Sequence, residues 1–255
     1  MAVDEALLEA VMRGESHPVL RLYSWDPPCL SLGYAQTLAD VDLPALQQNG
    51  WDLVRRPTGG RAILHTDEIT YSVIATSDDP RVAGGVLESY CRLSEAILDA
   101  LRRLGLDARA DRQYSLPAGS QPNAAVCFEV PSNYEITVQG KKLVGSAQAR
   151  KRNGVLQHGS LPLRGDLTRI TRALRYHNEL SRQRAAERLL EHAANVEMLG
   201  LTVSLQECAL AFEQAFASVL NIEWVSSELS AGEQARAVEL VEQKYAHASW
   251  THHIP

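Results

Sequence analysis

The sequence predicts an α+β domain: a mixed, largely antiparallel sheet flanked by helices, with a helical C-terminal region. Three observations carry this. Short runs rich in β-branched and alternating residues, separated by turn residues, fill residues 1–165. The segment Tyr134-Glu135-Ile136-Thr137-Val138, then Gln139-Gly140, then Lys141 to Arg150 reads as a β-hairpin, with two turn residues between two strand-forming runs. From Asp166 onward, Ala-, Leu- and Glu-rich stretches at 166–175, 181–192, 204–219 and 232–247 take on helical character. The expected organisation is a core over 1–165 and a helical part over 166–255 packed on the same domain.

The elements follow in order. Val3, Leu7, Leu8 and Val11 recur at helical spacing, and Gly14 ends that helix. Residues 19–25 alternate as a half-buried strand does, and Asp26-Pro27-Pro28 turns the chain into a second strand from Cys29. A short helix near Pro44–Gln48 precedes a strand at 51–56. The segment then runs through a Pro-Thr-Gly-Gly loop into a pair of strands at 62–65 and 69–75. Residues 86–104 form the clearest helix, with Leu87, Tyr90, Cys91, Ser94, Ile97, Leu98 and Leu101 on one face. Residues 109–125 read as a polar loop, and a last strand covers 155–163.

Composition narrows the function classes. With 45% apolar and 22% charged residues, the 255-residue chain is ordinary for a globular enzyme. A net charge of −6 argues against a general nucleic-acid binder. Cys29, Cys91, Cys127 and Cys208 show no CxxC pair and no metal-ligand spacing with histidine, so no metal is expected and a reducing compartment fits. Asp4, Glu5 and Glu9 exclude a signal peptide at the start, and no apolar run reaches the roughly 18 residues that span a bilayer. The expectation is a cytoplasmic protein.

Three segments carry candidate chemistry. Arg55-Arg56-Pro57-Thr58-Gly59-Gly60-Arg61-Ala62-Ile63-Leu64-His65 feeds a strand into two glycines whose backbone N–H groups can face a ligand closely. Arg56 offers a fork of donors to a phosphate or carboxylate. A tight turn with solvated arginines explains the same residues. In Gly140-Lys141-Lys142-Leu143-Val144-Gly145-Ser146-Ala147-Gln148, strict alternation points Lys142 with Val144 and Ser146, and Lys141 into water. A lysine aimed among small residues can polarise a carbonyl, although most lysines beside a hairpin turn do nothing of the kind. Cys127-Phe128-Glu129-Val130-Pro131-Ser132 follows a polar loop and precedes a proline, which suits a cleft edge. Cys91, on a helix face, and Cys29, in an apolar strand, look like core, and Cys208 falls in a C-terminal helix.

RRPTGGRAILH, GKKLVGSAQ and LQHGSLPL, preceded by DEALL at 4–8 and YSWDPPCLSLGYAQ at 23–36, stand in an order and spacing that resemble the lipoate–protein ligase and octanoyltransferase family. That family shares its catalytic fold with biotin protein ligases. Five ordered motifs over residues 1–165 are far more specific than any one. CFEVPSNYEI resembles the branch of cysteine-dependent octanoyltransferases, in which the cysteine of such a motif carries the acyl group. Arg61 stands where the ATP-dependent ligases tend to show a third glycine.

The resemblance implies octanoyl transfer from acyl carrier protein to a lysine of the glycine cleavage H protein or of a lipoyl domain of 2-oxoacid dehydrogenases. It implies no cofactor and no ATP, with neither nucleic acid nor membrane as a partner. Cys127 would be the acyl-thioester nucleophile, and Lys142 would favour its thiolate and polarise the acyl carbonyl. Arg56, Gly59, Gly60 and His65 would shape the acyl and pantetheine end of the pocket, with Ser146, Ala147 and His158 on its floor. Arg150, Lys151 and Arg152 would offer an acidic carrier protein a basic patch, or else form a solvated turn. The alternative is an ATP-dependent lipoate–protein ligase. A biotin ligase ranks lower because the first motif lacks GRGR, and a non-catalytic acyl-binding module is the reading from another class.

Overall fold

The computed structural model describes residues 1–111 and 135–252. Helix α1 (Ala2–Met12) buries Leu7, Leu8 and Val11 against Ile74 and Leu156. It also buries two acids, which would be costly without partners. Asp4 accepts hydrogen bonds from Arg21 (2.9 Å), Ser72 (3.0 Å) and Tyr23 (3.1 Å). Glu5 accepts from Lys244 and Tyr245, each at 2.6 Å. The helix is thereby tied to the sheet on one side and to the end of the chain on the other.

Strands β1 (Val19–Tyr23), β2 (Cys29–Leu32), β3 (Asp52–Arg55), β4 (Ile63–His65) and β5 (Glu68–Thr76) divide between two sheets. The short helix α2 (Leu43–Gln48) leads into β3. The small sheet has the order β3-β2-β4, with β2 parallel to β3 and antiparallel to β4. The segments 62–65 and 69–75 are therefore not a strand pair. β4 pairs with β2, whereas β5 pairs with β1 and with β9 (Gly154–Pro162) in the large sheet. Two turn residues can close a hairpin, but here they carry the chain from one sheet to the other.

The large sheet is antiparallel throughout, with the order β1-β5-β9-β8-β7-β6. β6 is Arg109–Asp111, β7 is Glu135–Val138 and β8 is Lys141–Lys151. β7 and β8 form the expected hairpin, with Gln139 and Gly140 both at positive φ (52° and 76°) as a type I′ turn requires. Thr137 pairs with Lys142 but Ile136 pairs with Val144, so Leu143 is an extra residue in β8, a β-bulge. Helix α3 (Val86–Arg103) covers the other face of this sheet with Leu93, Ile97, Leu98 and Leu101, while Leu87 is exposed.

The C-terminal part shares these cores. Helices α4 (Glu179–His192), α5 (Leu205–Leu220), α6 (Ala231–Leu240) and α7 (Ala248–Thr251) are present, but 167–172 forms 3-10 turns rather than an α-helix. Phe212 and Phe216 of α5 pack on Tyr71 with α3, and Ala237 and Leu240 of α6 pack near Ala2 and Ala6. Among the described residues no helix is long and apolar enough to cross a membrane.

Two contacts lock the layers together. Arg55 is fully buried. Its Nη1 donates to the carbonyls of Gly33 (2.9 Å), Tyr34 (2.9 Å) and Gln36 (2.6 Å), while Nε and Nη2 donate to Thr251 (3.2 and 2.8 Å). Trp250 Nε1 returns a bond to the Arg55 carbonyl (2.9 Å). Between the sheets, Thr58 Oγ1 lies 2.6 Å from His158 Nε2. Burial drives His158 down to about 3, against the pull of Asp4 and with repulsion from Arg56.

Two predictions follow from this packing. A Cβ on Gly33 would lie 1.9 Å from the Gly60 carbonyl oxygen, whereas one on Gly59 meets nothing within 4 Å. Gly33→Ala should cost about 3 kcal/mol in urea unfolding, as overpacking does, and Gly59→Ala under about 1 kcal/mol. The second concerns pH. His158 stays neutral when folded, so below its ordinary value of 6.5 the unfolded chain binds the extra proton and stability falls as pH drops toward about 3. Between about pH 7 and pH 4.5 the wild type should lose roughly 2 kcal/mol more than His158→Gln. Parallel pH profiles would refute this.

Candidate functional site

The cavity that gathers the motif residues lies between the two sheets and holds about 400 Å³, counting its open mouth. β5, β8 and β9 of the large sheet supply Thr70, Gly145, Ala147, His158 and Ser160. The small sheet and its Gly-Gly loop supply Ser31, Arg56, Gly60, Ile63 and His65. Alternation along a strand explains this division. Ser72 and His158 pair across β5 and β9 and face α1, while Tyr71 and Gly159 face α3 and α5.

Arg56 does not reach out toward a ligand in this state. Its Nη1 donates to Ser31 O (3.1 Å) and Oγ (3.0 Å), and Nη2 donates to the carbonyls of Gly59 (3.0 Å) and Arg61 (2.7 Å). The guanidinium thus fixes the loop from behind, with Gly60 at φ 94°. Gly33 permits the close approach on the other side.

His65 is held from three directions. Nδ1 lies 2.6 Å from Glu68 Oε1, Nε2 lies 2.8 Å from Ser31 Oγ, and Trp25 stacks on the ring at 4.3 Å. Thr70 donates to the same Glu68 oxygen (2.6 Å) and accepts from Trp25 Nε1 (2.9 Å). Such a ring is fixed in position, with both nitrogens bonded, on the cavity wall.

Lys142 is 6% exposed, and its Nζ is 2.9 Å from Glu135. The bulge corrects the expected alternation. Leu143 and Val144 both enter the core beneath α3, and Ser146 points the same way, accepting from Tyr71 Oη at 2.7 Å. Lys142 instead shares a face with Thr137, Glu135, Gly145 and Ala147, the face that floors the cavity. It does not itself line the cavity; Leu143 and Val144 stand between it and Gly145, and because Leu143 is a bulge they span only about two strand steps, roughly 7 Å at about 3.4 Å per step. Lys141 Nζ donates to the Leu190 carbonyl (2.6 Å) instead of pointing free into water.

Cys127 lies outside the described residues. Of the expected basic patch, Arg150 is bonded into the fold, while Lys151 and Arg152 are exposed. Arg150 donates to Val82 O (2.7 Å) and Ser89 Oγ (2.9 Å), and Lys151 pairs with Glu5 at 3.4 Å; Arg152 occupies the turn at φ 53°. Sequence reasoning passed over Arg55, Gly33, Ser31, Glu68, Glu135 and Ser160. Only Glu135 left a usable signal: once the turn is set at 139–140, alternation from Thr137 places it beside Lys142. Among the described residues no group of three or more His, Cys, Asp or Glu side chains could hold a metal ion.

Comparison with known proteins agrees with this architecture. The lipoyl protein ligase A/B catalytic domain matches residues 1–217. The octanoyltransferase LipM of Kyrpidia tusciae is 43% identical over 256 residues, covering 99% of this chain and 93% of that protein. The LipM octanoyltransferase of Moorella thermoacetica is 43% identical over 253 residues, covering 98% and 92%. Among solved structures, a bipartite lipoate protein ligase of Thermoplasma acidophilum, studied with its E2 lipoyl domain, superimposes with a TM-score of 0.79 at 28% identity, covering 100% of this chain and 92% of that one. A lipoate-protein ligase A bound with ATP gives 0.78 at 29%, covering 100% and 93%. With two facing sheets, a clamped Gly-Gly loop and an inward lysine all within the matched span, the chain belongs to the lipoyl protein ligase A/B catalytic-domain family.

Proposed function

We propose that the protein is an octanoyltransferase, carrying an octanoyl group from acyl carrier protein to a lysine of the glycine cleavage H protein or of a lipoyl domain, by way of a thioester on Cys127. Identity of 43% across nearly the whole chain to proteins named octanoyltransferase is the observation that carries this reading. These partners would put the reaction in the cytoplasm.

Two acyl transfers make up the chemistry. The Cys127 thiolate attacks the thioester carbonyl carbon of the donor. The carbon–sulfur bond to pantetheine breaks, and the departing thiolate takes up the proton that Cys127 released. A neutral lysine amine of the acceptor then attacks the enzyme thioester. The amide forms, the carbon–sulfur bond breaks, Cys127 leaves as thiolate, and the proton shed by the amine passes to solvent. A thioester is already activated, so no ATP enters.

In this scheme Lys142 stabilises negative charge on the sulfur and on the carbonyl oxygen. Glu135 holds the ammonium in place and offsets part of its field. The apolar wall takes the acyl chain, while His65, fixed by Glu68 and Ser31, and the loop held by Arg56 give that wall its shape. The ligase reading keeps one specific support, the close superposition on a ligase that binds ATP.

Two measurements test the proposal. Incubated with octanoyl-acyl carrier protein and no ATP, the protein should gain the mass of one octanoyl group, labile to hydroxylamine and absent in Cys127→Ala. Transfer of lipoate that needs ATP and survives Cys127→Ala would instead assign the ligase reaction. Lys142→Met should lower the rate of adduct formation by about 10²–10³, the usual loss when one preorganised charge at a reacting oxygen is removed. A rate within threefold of wild type would take Lys142 out of the chemistry.

A further inference from the structure

Two residues that line the cavity each carry a buried side-chain atom with no hydrogen-bond partner: Nδ1 of His158 and Oγ of Ser160. The two side chains are only 5% and 1% exposed. They stand two residues apart on β9 and so project on the same face of the sheet. Proteins pair nearly all such atoms, so two orphans on one face of the same strand call for an explanation. The third unpaired side-chain atom among the described residues, Ser94 Oγ, sits on α3 beneath the other face and does not touch the cavity.

The chemistry of the pair selects its complement. His158 is neutral, with Nε2 engaged by Thr58, so Nδ1 presents whichever of donor or acceptor Nε2 does not. The Ser160 hydroxyl can do either. A carbonyl only accepts and an ammonium only donates, but a hydroxyl donates and accepts, and so completes the pair in either tautomer. The neighbouring wall from Ile63, Gly145, Ala147 and Gly159 offers carbon and satisfied backbone.

Position says which part of the ligand would carry that hydroxyl. Ser160 pairs with Gly145, which the bulge leaves about two strand steps, roughly 7 Å, from Lys142; with one inter-strand spacing of about 4.8 Å to the side, Ser160 stands roughly 8 Å from Lys142. That is comparable to the reach of an extended medium-length acyl chain. With the thioester carbonyl beside Lys142, the pair faces the last carbons.

We propose that His158 and Ser160 form a subsite for a hydroxyl at the far end of the acyl chain, so that medium-chain donors with a terminal hydroxyl are substrates alongside the plain chain. The direction of the chain rests on the transfer reaction proposed above. The transfer itself is unchanged: the same bonds form and break, and the hydroxyl passes through intact.

The test compares octanoyl- and 8-hydroxyoctanoyl-acyl carrier protein as donors to the wild type and to Ser160→Ala. The wild type should use the hydroxylated donor within about threefold of the plain one, and Ser160→Ala should lower the hydroxylated-to-plain ratio about tenfold, the effect of one lost hydrogen bond. Because the ratio is taken within each protein, partial misfolding of the variant cancels. A wild type that uses the hydroxylated donor more than tenfold less well, as a wholly apolar floor would, overturns the subsite. So does an unchanged ratio in the variant, which would mean that water completes the pair. If the wild type transfers neither chain, the transfer reading fails and the subsite is judged by calorimetry with the free acids. Binding of 8-hydroxyoctanoic acid at least as tight as octanoic acid supports it; binding tenfold weaker overturns it.

Discussion

Adjacent arginines at the end of β3 spend their guanidinium groups on backbone carbonyls, and the site is built around that choice. A buried arginine must find acceptors for its donors or remain uncompensated in a poorly polarisable interior. Arg55 finds them in Gly33, Tyr34, Gln36, Trp250 and Thr251, and Arg56 finds them in Ser31, Gly59 and Arg61. Side chains leaving consecutive strand residues diverge, so the pair grips two regions at once. One hand holds the chain end against the turn after β2, and the other holds the Gly-Gly loop over the cavity. The loop carries few apolar side chains of its own, and its shape comes from being the acceptor for a cation.

A single extra residue in β8 sets which side chains face the cavity side of the opposite sheet. Without the bulge at Leu143, strict alternation would send Lys142 to the same face as Val144 and Ser146, into the apolar space under α3. With it, Leu143 and Val144 both fill that space, and Lys142 turns to the cavity face, where Glu135 waits in register. A buried ion pair of this kind stabilises little, because desolvation offsets most of the attraction. Its effect is to fix where the ammonium sits.

These features show which parts of the site were legible in the sequence. The hairpin was, because Gln139-Gly140 demands positive φ at two positions and leaves few alternatives. The inward lysine was, but by an argument that the bulge invalidates: a pattern of period two cannot report an inserted residue when Leu143 and Val144 are both apolar. The strands at 62–65 and 69–75 were legible as strands but not as members of different sheets, since pairing depends on the partners β2 and β9, far away in the chain. The motif residues that gather at the cavity, Arg56, Gly60, His65, Ser146, Ala147 and His158, were found through resemblance; composition and spacing alone left each of them balanced against an ordinary turn or core role.

What stayed hidden shares one cause. Arg55 bonds to carbonyls, and a carbonyl is present at every residue, so nothing in the sequence near Trp250 and Thr251 marks them as its acceptors. The Trp250 indole, which donates to the Arg55 carbonyl and packs near the Tyr34 ring, adds side chains to that joint. Gly33 is required by the carbonyl of Gly60, again a backbone group. The helical C-terminal part, which carries none of the motifs, meets the Arg55 joint largely through main-chain acceptors, while side chains such as Phe212, Phe216, Lys244 and Tyr245 fix it to the cores and to Glu5. The same logic makes His158 and Ser160 stand out. In a site where almost every buried donor has found an acceptor, two that have not are the places where the protein has left room for something else to bond.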